Sequence, residues 1–199
     1  MVSETNPSVM DRRAAVAKLL AARDGALVVT GLGSPSYDVH AAGDMDGNYY
    51  LWGAMGGAAL TGLGLAQAQP DKRVMVITGD GEMLMAFGAL ATIAVAAPRN
   101  LDIIVLDNQH FGETGMQTSH TGHGIALHKI AEAVGFAETG ELRSLAEVED
   151  LVARLRKPAA GPRFFVLKIK AENLPRSLPP RDAVFIKNRL RAHLGLAPC

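Results

Sequence analysis

Apolar positions along the chain form short buried runs that alternate with longer segments of helical periodicity or of small residues. Four runs rich in valine, isoleucine and leucine predict buried strands over residues 26–30, 74–78, 101–106 and 163–169. The segments around these runs predict helices over residues 11–23, 54–69, 82–97, 127–135, 144–156 and 180–194. The alternation predicts an α/β fold of three layers, in which a mainly parallel sheet has helices on both faces.

Three of the predicted strands are followed by glycine-rich or polar segments. These segments are a loop over residues 31–36, the triplet Gly79-Asp80-Gly81, and the pair Asp107-Asn108, which leads into a long polar loop over residues 109–124. Ligands of parallel sheets bind outside the carboxyl ends of the strands, and a loop of this length inside a domain is usually functional. We therefore expect the three segments to form one shared site.

The overall composition favours a globular protein and gives no indication of a polyanion-binding surface. The chain has 199 residues, of which 48% are hydrophobic and 21 are glycine, and this is typical of a single domain over residues 1–199. The 20 basic and 20 acidic residues give a formal net charge of zero, so nucleic acid is not an expected partner. The longest uncharged apolar stretch, residues 83–97, is shorter than the ~20 residues that span a bilayer.

The cysteine content and the first residues of the sequence predict a cytoplasmic protein. Cys199 is the only cysteine, so no disulfide forms within the chain, as expected in a reducing compartment. Residues 1–10 are polar and do not show the basic and apolar regions of a targeting segment.

The triplet Gly79-Asp80-Gly81 and the later Asn108 have the chemistry of a site for a phosphate and a hard cation. The two glycines allow the backbone to approach a ligand closely, and the helix that starts near Glu82 directs free amides towards a phosphate. Asp80 and Asn108 supply carboxylate and amide oxygens, which are ligands for magnesium or calcium rather than for zinc.

At this point the sequence resembles the diphosphate-binding motif of thiamin-diphosphate enzymes. The features that match are, in chain order, Gly-Asp-Gly, a predicted helix, a predicted strand and Asp-Asn. An aromatic residue and a glycine follow shortly after. It implies that thiamin diphosphate and Mg²⁺ bind here, with the side chains of Asp80 and Asn108 and the main-chain carbonyl of His110 as metal ligands. It also implies further cofactor contacts, at Gly79, Gly81, Glu82, Phe111, Gly112 and Thr114.

A second segment, Gly53-Ala54-Met55-Gly56, resembles the turn that holds the aminopyrimidine ring in this family. The resemblance implies that backbone groups of Gly53 and Met55 bond the pyrimidine and that the Met55 side chain bends the cofactor into a V. Close helix packing is the alternative interpretation of these glycines. A dinucleotide-binding loop fits less well, because the Gly-x-Gly-x-x-Gly spacing is missing.

Within the family, the sequence is most similar to the C-terminal domain of phosphonopyruvate decarboxylases and to the beta subunit of sulfopyruvate decarboxylases. Residues 113–117 resemble their Ser-Thr-Gly-x-Gln segment, although Glu113 replaces the serine and Glu82 replaces a serine or alanine. The resemblance implies the diphosphate-binding subunit of a heteromeric decarboxylase that acts on a short 2-oxo acid with an anionic 3-substituent. It implies a partner with a pyrimidine-binding domain, since this chain has no room for that domain and its catalytic glutamate.

The candidate catalytic residues in this chain are Met55, Glu113 and His120. A zinc site at His120 and His123 is disfavoured, because no cysteine or acidic residue nearby completes a ligand set. Three other functions stay open on the same fold, namely a carboligase, a subunit of a 2-oxo acid oxidoreductase, and a non-catalytic diphosphate-binding module.

Overall fold

The computed structural model describes residues 9–198. Residues 1–8 belong to the segment in which the sequence predicts no targeting signal, and they lie outside the described residues, as does Cys199. Among the described helices, none combines the length and the apolar character that a membrane span requires.

A six-stranded sheet forms the centre of the fold, and every neighbouring pair of its strands is parallel. The strand order is β2-β1-β3-β4-β8-β7, and a separate antiparallel pair consists of β5 and β6. The described part of the chain contains eight strands: β1 Leu27–Thr30, β2 Asn48–Tyr50, β3 Val74–Gly79, β4 Leu101–Asp107, β5 His110–Phe111, β6 Gln117–Thr118, β7 Glu138–Leu142 and β8 Arg163–Lys168. The four strands that the sequence predicts are the four central ones, whereas the edge strands β2 and β7 were not predicted.

Within residues 9–198, eight α-helices connect and flank the strands. They are α1 Arg12–Ala21, α2 Ser34–Ala41, α3 Ala58–Ala68, α4 Asp80–Met85, α5 Ala89–Ala96, α6 Leu127–Val134, α7 Leu145–Leu155 and α8 Ala183–His193. A capping box starts α7, since Ser144 and Glu147 exchange both hydrogen bonds.

Three local predictions from the sequence were wrong. Residues 31–36 were expected to be a loop, but α2 begins at Ser34 with proline at its second position, where a missing N–H costs no hydrogen bond. Residues 82–97 were expected to be one helix, but the segment forms two helices, with α4 ending at Met85 and α5 beginning at Ala89. Gly88, a residue type that weakens helices, lies in the interruption. The expected loop over residues 109–124 contains the β5–β6 pair and two 3₁₀ turns.

Each face of the sheet is covered by its own hydrophobic core, which confirms the three-layer α/β fold. Along β3, Met75 and Ile77 point into the core that contains residues of α1 and α7, while Val74 and Val76 point into the core that contains residues of α3, α5 and α6. Gly62 of α3 serves this packing, because a Cβ there would lie 2.2 Å from the side chain of Val76.

The register of the two central strands brings the predicted site together. Gly79 at the end of β3 pairs with Leu106 near the end of β4. Asp80 and Asn108 therefore leave the sheet side by side, at its carboxyl edge.

Candidate functional site

A cavity of about 270 Å³ lies at the carboxyl edge of the sheet, between the segments that follow β1, β3 and β4. The expectation that these three segments share one site is consistent with the residues that line it. From the predicted catalytic, cofactor-binding and metal-binding residues, the lining includes Met55, Gly79, Asp80, Gly81, Glu82, Asn108, His110, Phe111, Gly112, Glu113 and Thr114.

Asp80 opens α4 and is 98% buried, with 2% of its surface exposed. Its Oδ2 accepts a hydrogen bond from Ser119 Oγ at 2.5 Å and lies 3.1 Å from Thr121 Oγ1. Burial raises the pKa of Asp80 to about 6; the two hydroxyl groups act in the opposite direction, and the nearby charge of Asp107 raises it further. A bound cation stabilises the ionised form of such a buried carboxylate, because it compensates the lost hydration of the negative charge.

Asp107, at the end of β4, holds the neighbouring loop rather than facing the cavity. Its Oδ2 pairs with Lys168 Nζ at 2.6 Å, and its Oδ1 accepts hydrogen bonds from Thr121 Oγ1 at 2.7 Å and from the Gln109 amide at 2.9 Å. Since Thr121 lies against both Asp80 and Asp107, the 3₁₀ turn that carries it is fixed to the ends of β3 and β4.

Asn108 lines the cavity and is anchored by a local turn. Its Oδ1 accepts a hydrogen bond from the His110 amide at 2.9 Å, and the His110 ring nitrogen Nδ1 lies 2.8 Å from the Asn108 carbonyl oxygen. A side-chain amide oxygen has a second lone pair, so this turn leaves Asn108 able to bind a cation.

The donor set of the cavity fits a magnesium diphosphate. Asp80 and Asn108 offer hard oxygen donors, and Mg²⁺ typically binds through one or two such groups plus substrate phosphates. Within residues 9–198, no group of three histidine, cysteine, aspartate or glutamate side chains is placed to hold a metal ion by itself.

The sequence left open what Glu82 does beside a predicted diphosphate site. Both of its carboxylate oxygens face backbone amides: Oε2 accepts from Leu32 at 2.8 Å, and Oε1 accepts from Gly56 at 3.3 Å and from Ala58 at 3.4 Å. Burial raises the pKa of Glu82, and the hydrogen bond from Leu32 opposes that rise most strongly.

Met55, Gly81 and Phe111 meet on one side of the cavity. A Cβ on Gly81 would lie 2.6 Å from the Phe111 ring and 3.7 Å from Met55 Cε, so the glycine makes room for the aromatic ring. The Met55 side chain is 43% exposed. It therefore stands at the mouth of the cavity, where it can contact a bound molecule.

Glu113 forms part of the rim and is paired with a residue from the segment that follows β8. Arg176 Nη2 lies 2.8 Å from Glu113 Oε2, and the same guanidinium lies 5.7 Å from the centre of the Tyr37 ring. A Cβ on Gly33 would lie 2.8 Å from Glu113 Cγ, which places the side chain against the start of α2. The pair is exposed to solvent.

Three predicted site residues do not line the cavity. Gly53 and Ala54 lie in the exposed turn before α3, and His120 is exposed in a 3₁₀ turn. The predictions for them stay untested.

Several residues of the site carry no sequence signal that pointed to it. Arg12 lines the cavity from α1 and pairs with buried Asp38 at 2.7 Å. Lys168 comes from β8 and pairs with Asp107. Leu32, Ser34, Ser119 and Thr121, by contrast, lie in the loops over residues 31–36 and 109–124 that were expected to share the site, but no motif singled them out.

Comparison with known proteins identifies the family. The family model of the thiamine pyrophosphate enzyme C-terminal TPP-binding domain matches residues 34–169. The chain belongs to this family. Thiamine pyrophosphate is another name for thiamin diphosphate, so the match agrees with the motifs at Gly79 and Asn108.

Two curated relatives show where the similarity extends. The chain is 41% identical over 123 residues to the sulfopyruvate decarboxylase subunit beta of Methanocaldococcus jannaschii, across 62% of this chain and 64% of that protein. It is 40% identical over 190 residues to the phosphonopyruvate decarboxylase of Streptomyces viridochromogenes, across 94% of this chain and 47% of that protein. The chain thus spans less than two thirds of the length of either relative.

A solved structure supports the fold. The benzoylformate decarboxylase of Polynucleobacter necessarius superposes with a TM-score of 0.70 at 17% identity, over 88% of this chain and 36% of that one. At this identity the similarity concerns the fold alone.

Proposed function

We propose that this chain is the diphosphate- and magnesium-binding subunit of a heteromeric thiamin-diphosphate-dependent decarboxylase. Its substrate is a short 2-oxo acid with an anionic 3-substituent, of the 3-sulfopyruvate or 3-phosphonopyruvate type. Residues 1–199 form one cofactor-binding domain in this proposal, and the enzyme works in the cytoplasm.

The observation that carries the proposal is the pair of oxygen donors, Asp80 and Asn108, in one cavity at the carboxyl edge of the sheet. A Cβ on Gly79 would meet nothing within 4 Å, so the backbone there is open to a diphosphate. The family to which the chain belongs binds this cofactor, and the two curated relatives are named decarboxylases of sulfopyruvate and phosphonopyruvate.

In this proposal the residues of the chain bind and orient the cofactor. Asp80, Asn108 and the main-chain carbonyl of His110 hold Mg²⁺, while the backbone at Gly53 and Met55 holds the pyrimidine ring. Bound thiamin diphosphate supplies the electron sink that cleavage of the bond to a carboxylate requires. The side chains of Met55 and Phe111 cover one side of the cavity and limit the access of water to it.

The partner supplies the catalytic glutamate from a pyrimidine-binding domain. Exposed apolar side chains around the turn before α3 support a protein contact, since apolar groups that gather at a surface often mark interaction sites. These side chains are Met55, Leu60, Met85 and Phe87, each at least 43% exposed. The name of the archaeal relative, a subunit beta, also favours a heteromer over a homo-oligomer.

The test is decarboxylation by the purified chain with and without a co-expressed pyrimidine-domain protein. We expect release of carbon dioxide from 3-sulfopyruvate or 3-phosphonopyruvate only with the partner, thiamin diphosphate and Mg²⁺ together. A carboligase would instead form a new carbon–carbon bond between two 2-oxo acids, and a non-catalytic module would bind the cofactor without turnover. Equal turnover by the isolated chain and by the mixture would contradict the proposal.

A further inference from the structure

The carboxylate of Glu82 connects three backbone segments that are distant in sequence. It lies in α4, 50 residues from Leu32, 26 from Gly56 and 24 from Ala58, and accepts a hydrogen bond from each amide. Only 4% of the glutamate is exposed. A buried carboxylate is costly unless its oxygens are hydrogen-bonded, so these three amides are a condition for the burial of Glu82.

The same contacts provide hydrogen-bond acceptors for backbone amides at the start of α3, whose own N-cap residue provides no side-chain acceptor. The N-cap residue of α3 is Gly57, and it makes no side-chain cap hydrogen bond. The first amides of any helix lack partners within the helix. Glu82 provides an acceptor for Ala58, the first residue of α3, and for Gly56 just before it. A side chain of α4 therefore caps α3.

The space around Gly31 indicates, independently of the hydrogen bonds, that the fold holds the Glu82 carboxylate at this position. A Cβ on Gly31 would lie 1.9 Å from Glu82 Oε2 and 2.7 Å from its Cδ. Gly31 does not have a positive φ, so its backbone conformation does not require glycine. The requirement comes from the space that the Glu82 carboxylate occupies.

The turn that Glu82 holds contains Met55 between two glycines of positive φ, Gly53 at +75° and Gly56 at +93°. Glycine gives a chain conformational freedom, so a turn of this kind needs outside contacts to keep one shape. Helix α4, which carries Glu82, also carries Asp80, two residues earlier. The hydrogen bond to Gly56 thus links the backbone of the Met55 turn to the helix of the proposed metal ligand.

We propose that Glu82 is a positioning residue that fixes the Met55 turn and the loop after β1 relative to Asp80. In this role Glu82 acts through the backbone amides of Leu32, Gly56 and Ala58. The consequence for catalysis rests on the proposed function, whereas the connection itself is a property of the cofactor-free chain.

Amide hydrogen exchange of the full chain without cofactor tests the connection directly. In Glu82→Ser, exchange at Leu32, Gly56 and Ala58 should accelerate by about tenfold or more, because each amide loses a charged acceptor. Glu132→Ser, a change at an exposed glutamate of α6, is the matched control and should leave these amides unchanged. Unchanged exchange at the three amides in Glu82→Ser would overturn the proposal.

A double-mutant cycle with Gly31 separates this role from a general loss of stability. Gly31→Ala should destabilise the wild-type chain strongly and the Glu82→Ser chain less, because serine removes the atoms nearest the new Cβ. Thr78 Oγ1, 2.7 Å from that Cβ, must move in both backgrounds, so Gly31→Ala should keep part of its cost in the Glu82→Ser chain. Equal costs in both backgrounds would contradict the proposal.

If Glu82→Ser does not fold, Glu82→Gln replaces it, since glutamine keeps the size of the side chain and one acceptor oxygen. Faster exchange should then appear at Leu32 or at the Gly56–Ala58 pair, and unchanged exchange at both would overturn the proposal. In the complex with its partner, Glu82→Ser should lower turnover by a larger factor than it lowers thiamin diphosphate affinity in calorimetry. If the wild-type complex is inactive, the proposed function fails while the exchange result still decides the role of Glu82.

Discussion

Ser119 Oγ donates a 2.5 Å hydrogen bond to Oδ2 of Asp80, from a loop 39 residues further along the chain. This contact fixes the orientation of the carboxylate that we propose as a metal ligand. Hydrogen-bonding partners of metal ligands typically account for about 10–100-fold in metal affinity. Ser119 is therefore expected to tune the metal site without being a ligand.

The first prediction concerns the metal site. Asp80→Ala should abolish magnesium-dependent binding of thiamin diphosphate, and Ser119→Ala should weaken it by about tenfold, because the carboxylate loses its orienting donor. Calorimetry with and without Mg²⁺ measures both effects, and Asp46→Ala, at an exposed aspartate outside the cavity, is the control. Wild-type affinity in Asp80→Ala would exclude Asp80 as a ligand.

The second prediction concerns pH. Burial raises the pKa of Asp80 from 3.8 to about 6, so between these values the folded, metal-free chain holds a proton that the unfolded chain has released. The contribution of Asp80 to the unfolding free energy therefore falls as pH rises from 4 to 6. Magnesium affinity should rise over the same range, because the cation competes with this proton.

Denaturant unfolding of the metal-free wild type and of Asp80→Asn, each at several pH values, measures this effect. The difference between the two unfolding free energies isolates Asp80 from other buried acids, such as Asp38 and Asp102, whose pKa values burial also raises. A difference that does not change between pH 4 and 7 would contradict the prediction.

The sequence predicted the parts of the fold that local composition determines. The four central strands are runs of apolar residues buried on both faces, and the motifs around Asp80 and Asn108 follow two of them. The edge strand β7, Glu138–Leu142, is polar because most of it is only partly buried, and β2 has only three residues. Neither carries the pattern by which a buried strand is predicted.

The supporting contacts of the site could not be predicted for a different reason. Glu82 stands where similar sequences have serine or alanine, but its hydrogen-bonding partners are 24–50 residues away along the chain. The pairing of Arg12 with Asp38 and of Lys168 with Asp107 likewise depends on the packing of separate elements. Periodicity and motif spacing describe neighbours along the chain, whereas these contacts exist only after the layers assemble.

The third prediction concerns Met55. If its side chain supports the bent cofactor, Met55→Ala should lower turnover of the complex more than it lowers cofactor affinity, since the backbone contacts of the turn remain. Steady-state kinetics and calorimetry on the same preparations give the two values. Met45→Ala, at another exposed methionine outside the cavity, is the control. Equal losses in turnover and affinity would indicate a simple packing role.

The last prediction separates the roles of Glu113 and Arg176. Glu113 lines the cavity, whereas Arg176 neutralises it from the solvent side. Because the pair is exposed, breaking it should change the unfolding free energy by no more than about 1 kcal/mol.

Glu113→Gln should lower kcat if the carboxylate acts on the substrate. Arg176→Gln leaves the charge of Glu113 unbalanced. It should therefore raise KM for 3-sulfopyruvate, which carries an additional negative charge on its 3-substituent, more than KM for pyruvate, with little change in kcat. In the double variant this KM effect should disappear, since no carboxylate is left to repel the substrate. A KM effect of Arg176→Gln that persists without Glu113 would show that Arg176 contacts the substrate itself.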